Sequence, residues 1–159
     1  MDQSLRIIAA DDEPLILANL QEMLSALGHD VVASVGTGSE LVEQCQALRP
    51  DLIVTDIKMP EMDGLEAAQQ LRGDERPVPF IIVSAHHDPE FVQRALENYV
   101  LSYLVKPIQE HELRIAIRLV MQRYREFQAL KEQAESLQQA LQERKLVERA
   151  KGILMKRGG

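Results

Sequence analysis

Tryptophan is absent from the 159-residue chain, cysteine occurs once, and phenylalanine and tyrosine contribute three residues each. A single cysteine excludes a disulfide framework within the chain. Cys45, inside the helical-looking SELVEQCQALR, reads as a packed thiol of a reducing compartment with no chemistry of its own. Long hydrophobic runs are missing too. None approaches the roughly 18 residues that a membrane span needs, and the N-terminal MDQSLRIIAADDE has neither a basic region nor a long apolar signal core. These absences predict a cytoplasmic chain with no membrane contact.

What is present suffices for one ordinary domain and an appendage, since 45% of the residues are hydrophobic. The net charge of −7 conceals a division. Residues 1 to 108 carry 7 basic and 18 acidic side chains, whereas residues 109 to 159 carry 11 basic and 7 acidic. The basic excess gathers in residues 144 to 159, where Arg144, Lys145, Arg149, Lys151, Lys156 and Arg157 face only Glu148. An acidic body with a basic tail points to a polyanion or an acidic partner for the tail; a solvated helix face is the plain alternative.

Short apolar runs alternate with helical patterns. LRIIAA (5–10), VVASV (31–35), LIVT (52–55), FIIVSA (80–85) and SYLV (102–105) are strand candidates, and helices are expected near 14–27, 39–48, 64–73 and 89–98. Runs that are apolar throughout are buried on both faces. They therefore predict an α/β fold with a parallel, doubly wound sheet that binds ligands beyond the carboxyl ends of its strands. The segment GTGSE lacks the Lys-Ser/Thr of a phosphate-binding loop and reads as a turn into a helix starting at Ser39.

From about Gln109 no further strand pattern occurs. Leu113, Ile117, Val120, Tyr124 and Phe127 step by fours and threes, and Leu130, Ala134, Leu137 and Leu141 continue that rhythm. No glycine or proline falls between residues 108 and 152. A helix through residue 142 would hold about 34 residues and reach roughly 50 Å, more than one domain requires, so a dimeric coiled coil is expected.

The strand ends carry the chemistry. LIVT runs straight into Asp56, and an ionised carboxylate is tolerated there only with a cation or at an exposed end. Beyond the other strands stand Asp11, Asp12, Ser84 and Lys106, the last followed by Pro107. Crowded carboxylates repel one another unless a divalent cation and an ammonium share the space, and an all-oxygen set suits magnesium. Asp56 then becomes a candidate nucleophile toward a phosphoryl group. Taken singly, each residue also has a plain reading: Asp12 as a helix N-cap ahead of Pro14, Asp63-Gly64 as a turn before a helix, Ser84 and Lys106-Pro107 as strand terminators. His86, His87 and Asp88 read as exposed loop residues rather than a transition-metal site.

Together, AADDEP, VTDIKMPEMDG, VSAH and SYLVKP resemble the receiver domain of bacterial two-component response regulators, over about residues 4 to 125. The resemblance implies a flavodoxin-like sheet of order 2-1-3-4-5 extended by a C-terminal helix. It implies that Asp56 accepts a phosphoryl group from a sensor histidine kinase, the protein being a phosphoacceptor that assists its own phosphorylation and dephosphorylation rather than an enzyme. It further implies that Asp12, Asp56 and the Lys58 main-chain carbonyl hold magnesium, with Asp11 acting through water. Lys106 would pair with the phosphoryl oxygens, its bond to Pro107 would be cis, and Ser84 and Tyr103 would fill the family's hydroxyl and aromatic switch positions.

The last stretch resembles a second family. ERKLVERAKGILM is similar to the first helix of ANTAR RNA-binding antiterminators, whose three-helix bundle binds RNA stem-loops. The expected organisation is a receiver over 1–125, a coiled-coil linker helix over 126–142 and a basic helix over 143–159 that starts an incomplete ANTAR-like output domain. The plain reading of the tail is a helix ending near Gly158. Arg149 and Lys151 are candidate RNA phosphate contacts, while Ala150, Ile153, Leu154 and Met155 would pack the rest of such a bundle. Because the sequence stops at Gly159, the expectation is a shortened form that binds RNA poorly, with the stem-loop a partner of a longer form. Rival readings are a DNA-binding or protein-interaction output, a magnesium-dependent aspartyl phosphatase, which would want an acid where Lys58 stands, and a coiled-coil adaptor with an inert acidic site.

Overall fold

A computed structural model of the chain describes residues 3–73, 77–85, 89–97 and 100–157; His86, His87 and Asp88, expected from the sequence to be exposed loop residues, lie outside the described residues. Five strands alternate with helices: β1 (Arg6–Ala10), α1 (Pro14–Ala26), β2 (Asp30–Val35), α2 (Gly38–Leu48), β3 (Leu52–Thr55), α3 (Gly64–Leu71), β4 (Phe80–Ser84), α4 (Pro89–Glu97), β5 (Val100–Val105) and α5 (Glu110–Arg157). All pairings are parallel, in the order β2-β1-β3-β4-β5. This is the flavodoxin-like sheet with a long C-terminal helix that the sequence resemblance implied.

The strand assignments follow from burial. Every residue of β3 and β4 is buried, as is β1 after Arg6, because helices cover both faces of the central strands. The edge strand β2 is half-buried and accommodates Ser34. Ile8, Leu41, Ile53, Leu65, Phe80 and Ile82 form the centre of a core cluster against which Tyr103 and Met59 pack. Burying each large side chain of this kind contributes about 1.5–3 kcal/mol relative to exposing it.

Helix starts follow their caps. Thr37 Oγ1 accepts from the Glu40 amide at 3.1 Å, so α2 begins at Gly38, one residue ahead of the expected Ser39. Thr37-x-x-Glu40 is the signal that places this start. Asp63 caps α3 by accepting from the Glu66 amide at 2.7 Å. Asp12 does not cap α1: the N-cap residue is Glu13, whose own amide donates to Asp11 Oδ1 at 2.9 Å.

Contacts divide the chain into two compact units, Met1–Met121 and Gln122–Gly159. In the first, the opening turns of α5 bury Leu113, Ala116, Ile117, Val120 and Met121. In the second, α5 continues past residue 142 without a break, and Leu130, Leu137, Leu141 and Leu146 are 57–66% exposed. No helix among the described residues is long and apolar enough to cross a membrane.

Candidate functional site

The strand ladder continues into the loops at the carboxyl edge and fixes where the polar residues stand. The Asp11 amide donates to the Val35 carbonyl and the Asp56 amide to the Ala10 carbonyl, both at 3.0 Å, and the Lys106 amide donates to the Ser84 carbonyl at 2.9 Å. Residues distant in sequence are thereby brought to one rim. Lys106 Nζ donates to Asp11 Oδ2 at 2.7 Å and to Asp56 Oδ2 at 2.9 Å. The side chains are 16%, 2% and 12% exposed for Lys106, Asp11 and Asp56, so these ion pairs are poorly screened by water. Burial alone would lower the Lys106 pKa; the hydrogen bonds and charges of Asp11 and Asp56 outweigh it and hold the ammonium above its ordinary 10.5.

Asp56 is oriented from both sides. Its Oδ1 accepts from the Ile57 amide at 2.7 Å while its Oδ2 faces Lys106. The loop beyond it is pinned: the Gly64 amide donates to the Ile57 carbonyl at 2.7 Å and the Gly38 amide to the Met62 carbonyl at 3.0 Å. Between them Glu61 sits in the left-handed region at φ 70°, with the Met62 amide donating to the Pro60 carbonyl at 2.8 Å.

One lysine between two carboxylates leaves Asp12, which is exposed, as uncompensated negative charge beside them. Ligand atoms of Asp11, Asp12 and Asp56 all lie within 4.8 Å of one another, a spacing and an all-oxygen donor set that fit a hard divalent cation such as magnesium. The site thus unites an oriented carboxylate, an ammonium and an oxygen cradle.

The response regulator receiver domain matches residues 7–118. The chain belongs to the response regulator receiver family. The ANTAR domain matches residues 135–159. A relative that aligns along nearly the whole chain is the transcriptional regulatory protein PdtaR of Mycobacterium tuberculosis, 40% identical over 154 residues, spanning 97% of this chain and 75% of that one. Among solved structures, the response regulator domain of Thermotoga maritima CheB superposes with a TM-score of 0.68 at 28% identity, over 76% of this chain and 98% of that one. The receiver domain of the sensor histidine kinase PA1611 from Pseudomonas aeruginosa, solved with a magnesium ion coordinated in its active site cleft, gives 0.67 at 29% identity, over 74% and 98%. Receiver domains accept phosphoryl groups from histidine kinases and ANTAR domains bind RNA, so this receiver is part of a two-component response regulator with an ANTAR output segment.

The remaining sequence candidates fall in different places. Ser84 is fully buried at the end of β4, and Tyr103 is half-buried on β5, in register with Ile82. The Lys106–Pro107 bond is cis. Lys58 is exposed on the β3–α3 loop. Arg149 and Lys151 are exposed on α5 in the second unit. Two residues escaped the sequence reading. Arg94 on α4 donates to Asp63 Oδ2 at 3.0 Å, tying α4 to the cap of α3, a pairing across 31 positions that no local pattern announces. Thr55 enters there only as the last residue of the strand candidate LIVT.

Proposed function

We propose that Asp56 is the phosphoacceptor of this response regulator and that its phosphorylation sets the association state of α5 and an RNA-binding antitermination output. The observation that carries the reading is the Lys106 ammonium bound to both Asp11 and Asp56 beside the three-carboxylate cluster. An Asp56 carboxylate oxygen attacks the phosphorus of a kinase phosphohistidine; the O–P bond forms as the N–P bond breaks and its electron pair returns to the imidazole nitrogen. Water later attacks the acyl phosphate, releasing inorganic phosphate and restoring the carboxylate. Lys106 meets the negative charge that gathers on the transferring oxygens. Asp12 and Asp56, with the Lys58 main-chain carbonyl and Asp11 through water, would hold magnesium. When bound, the ion supplies the positive charge that lets a dianionic donor approach this acidic rim.

Phosphorylation adds charge and acceptor oxygens at Asp56, which draw the Ser84 hydroxyl inward and open room for Tyr103 to turn toward the core. The exposed stripe Phe127, Leu130, Leu137 and Leu141 on the continuing helix supplies the seam of a homodimer. Arg149 and Lys151 supply phosphate contacts to an RNA stem-loop.

Mass spectrometry after incubation with magnesium and acetyl phosphate tests the first step. A phosphoryl adduct at Asp56, absent from Asp56→Asn, is expected; its absence from the wild-type chain would overturn the reading. Sedimentation with and without beryllium fluoride tests the second step, identical behaviour counting against it. RNA shift assays on this chain and on a C-terminally extended form test the third.

A further inference from the structure

The last residue of β3 places a hydroxyl where an apolar side chain would be the ordinary choice. Thr55 is fully buried and closes the run LIVT, all of whose residues are buried. A hydroxyl removed from water costs stability unless it finds a partner. Here Oγ1 donates to the Asp56 main-chain oxygen at 2.9 Å, with Met59 Sδ 4.0 Å away. That oxygen belongs to the peptide unit joining Asp56 to Ile57, and the N–H of the same unit donates to Asp56 Oδ1 at 2.7 Å. The unit is rigid and planar. Its orientation is therefore set at the carbonyl end by Thr55 and transmitted at the amide end to the Asp56 carboxylate.

We propose that Thr55 is a positioning residue for phosphoryl transfer: its buried hydroxyl holds the Asp56–Ile57 peptide plane so that Asp56 Oδ1 stays on the Ile57 amide and Oδ2 stays on the Lys106 ammonium. Gly64 makes this control close-fitting. A Cβ there would lie 2.1 Å from the same Asp56 oxygen and 3.2 Å from Thr55 Oγ1, so the hydroxyl, the carbonyl and the start of α3 share one packed site. With valine in place of threonine the peptide unit loses its fixed donor, and the carboxylate samples rotations in which one oxygen leaves its partner. The inference rests on Asp56 being the phosphoacceptor.

The test compares wild type, Thr55→Val, Thr55→Ser and Asp56→Asn with acetyl phosphate at saturating magnesium. Initial rates of phosphoryl uptake are read against donor concentration at a temperature well below each melting transition. Thr55→Val keeps the shape and strand preference of the residue. Its maximal rate is expected to fall about tenfold, the scale of one lost orienting hydrogen bond, at an unchanged half-saturating donor concentration. Thr55→Ser, which keeps the hydroxyl, is expected within about twofold of wild type. A role confined to stability would lower the melting temperature and leave the rate per folded molecule unchanged. The proposal is overturned if Thr55→Val matches wild type, if valine and serine variants slow equally, or if only half-saturation shifts. Should Thr55→Val not fold, Thr55→Cys, with its weak thiol donor, carries the same comparison. A wild-type chain that takes up no phosphoryl at Asp56 would instead remove the reading of Asp56 itself, an outcome plainly different from a slowed valine variant.

Discussion

The rim of the sheet and the second half of α5 solve opposite problems. At the rim, Asp12 stands exposed, but the polar groups that are wholly or partly buried are answered within the same unit: Lys106 by Asp11 and Asp56, the Asp56 carbonyl by Thr55, Asp63 by Arg94. Along the second half of α5, apolar groups are exposed, and no residue of that unit is buried among those described. Internal contacts thus dictate residue identity in the first region. In the second, internal contacts constrain identity far less. Perturbations should accordingly be felt as lost folding stability and chemistry at the rim, and as lost association along the helix.

Gly64→Ala should separate the two regions most sharply. The added Cβ would fall 2.1 Å from the main-chain oxygen of Asp56, an atom that cannot swing aside as a flexible side chain could. The loss is expected to exceed about 3 kcal/mol, above the usual range for overpacking because backbone must move. Denaturant unfolding of the first unit should show it, together with lost phosphoryl uptake. Helical content contributed by residues 122 to 157 should be spared.

Lys106→Met comes next. It leaves two carboxylates with little solvent and no ammonium, at a cost of about 2–3 kcal/mol, somewhat below that of breaking a fully enclosed pair because the lysine retains 16% exposure. The pH dependence has a fixed sign. The folded-state pKa of Lys106 is raised, so its stabilisation is fully present below about 10.5, the unfolded value, and is lost as pH rises through the higher folded value. Wild type should lose stability in that alkaline window, and Lys106→Met should lose less there. Equal alkaline slopes for the two would break the assignment.

The first region was largely legible in the sequence because its constraints are local and strong. Strands buried on both faces write continuous apolar runs, and a charged residue that closes such a run marks the sheet edge; Asp11, Asp56 and Lys106 were found that way. What escaped depended on three-dimensional pairing or on details finer than polarity. Arg94 meets Asp63 only because α4 and the α3 cap come together. Thr55 looks like a strand residue until its hydroxyl is seen on the Asp56 carbonyl. Thr37 was within reach, since Thr37-x-x-Glu40 announces a cap, but the helix was placed at Ser39 instead. The boundary at 142 follows the end of the leucine rhythm at Leu141 and the start of the ANTAR-like stretch at Glu143, and with neither glycine nor proline between 108 and 152 the helix runs on through it.

Leu137→Glu probes the other side of the comparison. The side chain is 66% exposed, so its replacement removes almost no packing within the unit, and the unfolding free energy of the first unit should stay within about 0.5 kcal/mol of wild type. If the stripe is a dimer seam, two glutamates meet across it and sedimentation should show monomer at concentrations where wild type is dimeric. Unchanged association would move the interface off this stripe.

The smallest effect is expected for Arg144→Ala. Arg144 Nε and Glu148 Oε1 lie 3.6 Å apart one helical turn from each other, at 78% and 67% side-chain exposure. The geometry resembles an ion pair, yet water screens it and holding two long side chains together costs entropy, so it contributes only a few tenths of a kcal/mol. The same kind of contact at the rim, nearly stripped of solvent, is worth several times more. Thermal unfolding of Arg144→Ala should be indistinguishable from wild type and insensitive to added salt, whereas Lys106→Met shifts clearly. A large loss from Arg144→Ala would mean that this stretch of α5 is covered in solution by a partner that excludes water from the pair, so that the charges of the tail, and not its leucines alone, would be constrained from outside the chain.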